Sequence, residues 1–197
     1  MYDKYAALIF DMDGTVIDSL PAHQRAWEQI LAKYQIPYTA KVMNHLNGWP
    51  ALQTVNFLCS RAQIENLDNV QISAEKEALY QQLAPQMVKI TPVIDIVKKY
   101  TGKKPIALGT GASTSEATNL LSHLGITELF DHIVGSDQVE KHKPAPDTFL
   151  RCAKLLNVPS DQCIVFEDAQ AGFDAAQAAG MAHFDVRAIC KPSYFVQ

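Results

Sequence analysis

Short apolar runs that stop abruptly at a polar residue or a glycine constrain this chain more than any other feature. Ala6-Ala7-Leu8-Ile9-Phe10 stops at Asp11, Ile106-Ala107-Leu108 at Gly109, Ile133-Val134 at Gly135 and Ile164-Val165-Phe166 at Glu167, with a fainter run over 182–186. Runs of this length without polar alternation are the pattern of strands buried on both faces. Between them lie helical patterns at 93–100, 115–124, 147–156 and 169–179, the last closed by Gly180 as a helix C-cap closes. Strand alternating with helix predicts an α/β fold with a parallel sheet covered on both faces. Ligands in such folds sit beyond the carboxyl ends of the strands.

The stretch 19–90 breaks this rhythm. Helical patterns at 22–34, 51–62 and 74–87 follow one another with no convincing buried strand between them. The chain therefore reads as a Rossmann-like core made of 1–18 and 91–197, interrupted by an all-helical cap at 19–90. A length of 197 residues suits one catalytic core and a modest insertion. The net charge of -4 provides no electrostatic footprint for a nucleic-acid backbone or an anionic membrane, so any phosphate site must be local. Cys59, Cys152, Cys163 and Cys190 form no C-x-x-C pair, which leaves neither a zinc site nor a redox motif to read. The first apolar run, five residues long, is too short for a signal peptide or a membrane span. The expectation is a cytoplasmic protein with reduced thiols, acting as a monomer.

Asp11 and Asp13 stand at the carboxyl end of the first predicted strand with only Met12 between them. Residues two apart on a strand point the same way, so the two carboxylates invite a shared metal or a division of labour. A plainer reading competes, because Asp13-Gly14 is a strong turn dipeptide between Leu8-Ile9-Phe10 and Val16-Ile17. A calcium loop does not fit: Gly14 comes too early, and Ala22 stands where a bidentate Glu is needed. The second run ends in Gly109-Thr110-Gly111-Ala112, where a hydroxyl and backbone N–H groups could approach a phosphate, or where Thr110 could simply cap a loop. Lys143 precedes Pro144, which biases it toward extended backbone, and a lone loop lysine is ordinarily solvated. Glu167 and Asp168 end the fourth run. There they either face a cation or cap the helix that begins near Ala169.

Four polar placements at strand ends, in this order, form a joint pattern. Asp11-x-Asp13-Gly14-Thr15, Thr110, Lys143 and Glu167-Asp168 resemble the four motifs of the haloacid-dehalogenase superfamily, over essentially the whole chain. That resemblance implies a phosphatase acting on small phosphate monoesters, with Asp11 as nucleophile and Asp13 as general acid and base. Thr110 and Lys143, with the backbone of Gly111 and Ala112, would hold the phosphoryl oxygens. The implied cofactor is Mg2+, on the Asp11 carboxylate, the Asp13 carbonyl and Asp168, with Glu167 standing behind them. Two acids with opposite protonation demands titrate as a coupled pair.

The helical insertion after the first motif resembles the β-phosphoglucomutase-like group, and His23-Gln24-Arg25-Ala26-Trp27 is similar to a His-x-x-Ala-Trp segment of its mutases. His23, Trp27 and Asn47 are the cap candidates for substrate contact, although Trp27 suits a cap core equally well. The mutase likeness weakens at Asn47 and Ala51, where that group carries a Lys and a phosphate-gripping Arg. A mutase must hold a bisphosphate, so losing two cations favours hydrolysis. Similarity to the small bacterial sugar-phosphate phosphatases of the group points to fructose 1-phosphate. A dehalogenating relative would lack Asp13, and a phosphonate-cleaving one would need a cap lysine such as Lys33, Lys41 or Lys76 as its imine former. A phosphate-binding module without catalysis would not require this full set of acids, hydroxyl and lysine.

Overall fold

The computed structural model of the chain describes residues 2–46 and 49–190. They divide into two compact units, one containing 2–18 and 89–190 and the other 19–88. The first unit opens with β1 (Ala7–Phe10) and β2 (Ile17–Asp18). The chain leaves it for α1 (Leu20–Lys33), α2 (Ala40–His45), α3 (Ala51–Ala62) and α4 (Asn69–Met87), and returns through β3 (Lys89–Ile90). There follow α5 (Ile94–Tyr100), β4 (Ile106–Gly109), α6 (Thr114–His123) and β5 (His132–Val134). α7 (Asp147–Leu156), β6 (Cys163–Glu167), α8 (Gln170–Ala178) and β7 (Ala182–Asp185) complete it.

β1 is central in a sheet of order β5-β4-β1-β6-β7 whose neighbours all pair in parallel. This is the expected α/β core. Every residue of β1 is fully buried, which explains the unbroken apolar run. Alternation sends Ala7 and Ile9 to the face shared with Ala107, Cys163 and Val165, where Phe149, Cys152, Ala153 and Leu156 of α7 pack. Leu8 and Phe10 point the other way, and Phe10 stacks on Phe166 with centroids 4.4 Å apart. α7 comes close to β4 because Gly109 has no side chain: a Cβ there would lie 3.0 Å from Thr148 Cγ2 and 3.1 Å from Cys152 Sγ.

β2 and β3 form a two-residue antiparallel ribbon that the apolar pattern does not announce. Two residues are too few to show a period, and Ile90 is exposed.

The second unit is all-helical among its described residues. α1 buries Ala22, Ala26, Trp27, Ile30 and Leu31 along one stripe, against a cluster that includes Met43, Val55, Leu58 and Ile72. α4 begins five residues before the expected position 74, because the Asp68 side chain accepts the Gln71 N–H at 3.0 Å and caps it there. α2 is short and capped by Thr39, too brief for periodicity to reveal. Among the described residues, no helix is long and apolar enough to cross a membrane.

Candidate active site

The sheet register builds the site. Phe10 pairs with Phe166 on one side and with Leu108 on the other, so the next residues, Asp11, Glu167 and Gly109, continue one row across three strands. The Asp11 N–H donates to the Phe166 carbonyl at 3.0 Å and holds that row level. Asp11 continues the face of Ile9, and Glu167 the face of Val165, toward α7. Lys143 arrives from the segment preceding α7. Its Nζ donates to Asp11 Oδ1 at 2.6 Å, to Glu167 Oε1 at 2.9 Å and to the Gly109 carbonyl at 3.3 Å. The ammonium also lies 4.6 Å from the centre of the Phe149 ring, so this lysine is enclosed where loop lysines are ordinarily solvated.

Neither Glu167 nor Asp168 caps α8, so the capping reading that the sequence left open does not hold. Glu167 turns back on the backbone that follows it: its Oε2 accepts the N–H groups of Asp168 and Ala169, both at 2.7 Å, just ahead of α8, whose N-cap residue is Ala169. Asp168 does not cap the helix. Its carboxylate turns toward the first motif, 3.5 Å from the Thr15 hydroxyl and against Gly14, where any Cβ would collide with it. Gly14 has φ +78°, which glycine adopts without penalty. The Asp13-Gly14 turn is real as well, with Thr15 N–H and Ile17 N–H both donating to the Met12 carbonyl. Gly172 leaves the space that the Glu167 side chain fills, a role invisible in sequence.

Thr110 follows β4 and is buried. Its N–H donates to the Val134 carbonyl, and its Oγ1 accepts the Ala112 N–H at 3.1 Å, so the loop-capping reading holds for its side chain. A Cβ on Gly111 would meet nothing within 4 Å, so the loop there faces open space. Asp137 braces the loop by accepting from the Thr114 N–H at 2.6 Å and the Thr114 hydroxyl at 2.9 Å.

Burial raises the Asp11 carboxyl well above the ordinary carboxylate range; Lys143 opposes that rise, while Glu167, Asp168 and Asp13 add to it. Asp168 is pushed up to about 7, by burial first and by Glu167 next. Burial alone would lower Lys143, but attraction to Asp11 and Glu167 outweighs it and holds the ammonium above its usual value. Three carboxylates, those of Asp11, Glu167 and Asp168, thus share the field of Lys143, and Asp13 adds its charge to theirs. A group of like charges this dense gains from a bound cation. Carboxylate oxygens of Asp11, Glu167 and Asp168 lie within 4.8 Å of one another, and an all-oxygen donor set suits a hard divalent ion such as Mg2+. Both Glu167 oxygens are already engaged, so it is better placed to orient than to bind.

Within the helical unit, His23 is partly buried and stacks on Tyr80 with centroids 3.8 Å apart, its Nδ1 2.8 Å from Lys76 Nζ. Burial, and then Lys76, lower its pKa well below 6.5. Trp27 belongs to the hydrophobic cluster of this unit, with Lys76 Nζ 5.2 Å from its ring centre. Lys76 itself is 3% exposed and pairs with Glu77 at 3.1 Å. Its four-residue spacing from buried Ile72 was the available signal that it faces inward. Asn47 lies outside the described residues.

Residues 8–186 match the family described as haloacid dehalogenase-like hydrolase, and the chain belongs to it. Fructose-1-phosphate phosphatase YqaB of Escherichia coli (strain K12) is 43% identical over 95% of this chain and 99% of that protein. A phosphorylated carbohydrates phosphatase of Thermotoga maritima is 31% identical over 89% of this chain and 82% of that protein. Among solved structures, β-phosphoglucomutase from Clostridium difficile superposes with a TM-score of 0.76 at 28% identity, covering 98% of this chain and 91% of that one. The chain is an enzyme, a phosphatase of the β-phosphoglucomutase-like group.

Proposed function

We propose that the chain hydrolyses small sugar phosphates, fructose 1-phosphate foremost, through an aspartyl-phosphate on Asp11. The observation that carries this reading is the 2.6 Å contact between Lys143 Nζ and Asp11 Oδ1 at the carboxyl end of the central strand. Positive charge at that distance favours an ionised nucleophile and then the oxygens of an incoming phosphoryl group. An Asp11 oxygen attacks phosphorus as the bond to the sugar oxygen breaks, and Asp13 gives its proton to the departing alkoxide. Asp13 then takes a proton from a water that attacks the same phosphorus, releasing inorganic phosphate and restoring Asp11. Lys143 and the Thr110–Ala112 loop hold the phosphoryl oxygens throughout.

Asp11, Asp168 and the Asp13 carbonyl are the groups that would hold Mg2+, with Glu167 orienting them. The bound ion supplies charge neutralisation at the phosphoryl oxygens. The sugar-phosphate substrate is inferred from the 43% identical fructose-1-phosphate phosphatase. Hydrolysis is favoured over phosphoryl return by Ala51, the first residue of α3, which provides no cation for a second phosphate.

The test is phosphate release across a panel of sugar phosphates, nucleotides and phosphoglycolate. A glucose-1,6-bisphosphate-dependent mutase assay runs beside it. Fructose 1-phosphate should rank near the top by kcat/KM. Poor turnover of it, or isomerisation faster than hydrolysis, would overturn the assignment.

A further inference from the structure

We infer that Thr91 is a positioning residue for the loop that carries Asp13, an inference that rests on the phosphatase reading above. Thr91 directly follows β3 and is 5% exposed. It holds two successive carbonyls of the loop: its hydroxyl donates to Thr15 O, and its N–H donates to Val16 O at 3.0 Å. The held segment touches the acids on its other side. The Thr15 hydroxyl is 3.5 Å from Asp168 Oδ1, and Gly14 abuts the Asp168 carboxylate. Thr91 therefore sits behind the turn at Asp13, and the distance between that turn and Asp168 depends on where Thr91 holds Thr15 and Val16. A general acid has to meet its proton acceptor at hydrogen-bond range. A displacement of 1 Å costs on the order of a hundredfold in rate.

The Thr91 hydroxyl also accepts the Val93 N–H at 3.2 Å, just before α5. That second bond fixes the backbone at Val93, the residue that leads into α5, and stabilises the fold by itself. A purely structural role would lower the melting temperature in a Thr91→Val protein but leave kcat intact where the protein is folded. The positioning role separates the two.

The experiment compares wild type, Thr91→Val and Thr91→Ser at a temperature well below all three melting transitions. For each, kcat and KM on fructose 1-phosphate are measured, with the magnesium concentration that half-maximally raises the melting temperature. Thr91→Val should lose about 10- to 100-fold in kcat with KM changed less than about threefold, and should need more magnesium for half-maximal stabilisation. Thr91→Ser, which keeps the donor, should return kcat to within about threefold of wild type. If Thr91→Val does not fold, Thr91→Ala carries the same expectation without the added methyl. A folded Val or Ala variant with wild-type kcat and magnesium midpoint overturns the inference, as does a Ser variant as impaired as Val. A wild type that releases no phosphate from any sugar phosphate defeats the functional reading instead. The magnesium midpoints still judge Thr91 in that case.

Discussion

At Lys143, one ammonium meets Asp11 and Glu167 within 2.9 Å, and each partner is fixed by something else: Asp11 by the sheet, Glu167 by the backbone N–H groups of Asp168 and Ala169 and by the gap at Gly172. Filling that gap should propagate. Gly172→Ala pushes a methyl into the Glu167 side chain, and overpacking of this kind costs about 1–3 kcal/mol, measurable as a lower urea midpoint accompanied by reduced kcat. Asp13 can be isolated chemically. In Asp13→Asn, p-nitrophenyl phosphate should still give a burst of p-nitrophenol, because that leaving group needs no proton, while turnover of a sugar phosphate falls by about 10²–10⁴. Equal loss of both first steps would deny Asp13 the acid role. Asp11, Lys143 and Asp168 were legible because each follows an apolar run or precedes a helix, where side chains leave the core. Thr91 was not, since its partner lies 76 residues away and a threonine in a linker carries no pattern. That neither Glu167 nor Asp168 caps α8 was equally hidden, because both stand where a cap can form.

Among the elements, the buried strands were the most legible, because full burial leaves an uninterrupted apolar run, whereas the ribbon of β2 and β3 and the short α2 fell below any period. α4 starts earlier than its pattern suggests because Asn69-Val70-Gln71-Ile72 alternates like a strand, while the Asp68 cap and the burial of Ile72 hold it helical. The packing of α1 against α4 has a pH signature. His23 is held neutral in the fold, its pKa well below 6.5, by burial and by Lys76. Below pH 6.5 the unfolded chain takes up a proton that the folded one refuses. This contribution is therefore complete above 6.5 and is lost as the pH falls toward the folded pKa, at up to about 1.4 kcal/mol per pH unit. Urea midpoints of wild type should fall more steeply from about pH 7.5 to about pH 5.5 than those of His23→Gln. Parallel slopes would show that His23 is not the group refusing the proton.

For the whole molecule, the crowded acids couple the proposed metal binding to folding. Without an ion the Asp168 carboxyl titrates at about 7 against an ordinary 3.8, so its contribution to stability is present below 3.8 and is lost as the pH rises through about 7. Under the proposed function, magnesium would bind the ionised form. The rise in melting temperature on adding saturating magnesium should therefore grow from about pH 5.5 to about pH 8, and a rise that is equal or larger at the acid end would contradict a carboxylate site. The claim on which the rest depends is that Asp11 carries the phosphoryl group. An acyl phosphate is reduced by borohydride to an alcohol, which would convert Asp11 to homoserine. Enzyme quenched during turnover of fructose 1-phosphate, reduced and mapped by mass spectrometry should yield homoserine at position 11, and none in Asp11→Asn. Unmodified Asp11 throughout turnover, or homoserine at Asp13 or Asp168 instead, would contradict it.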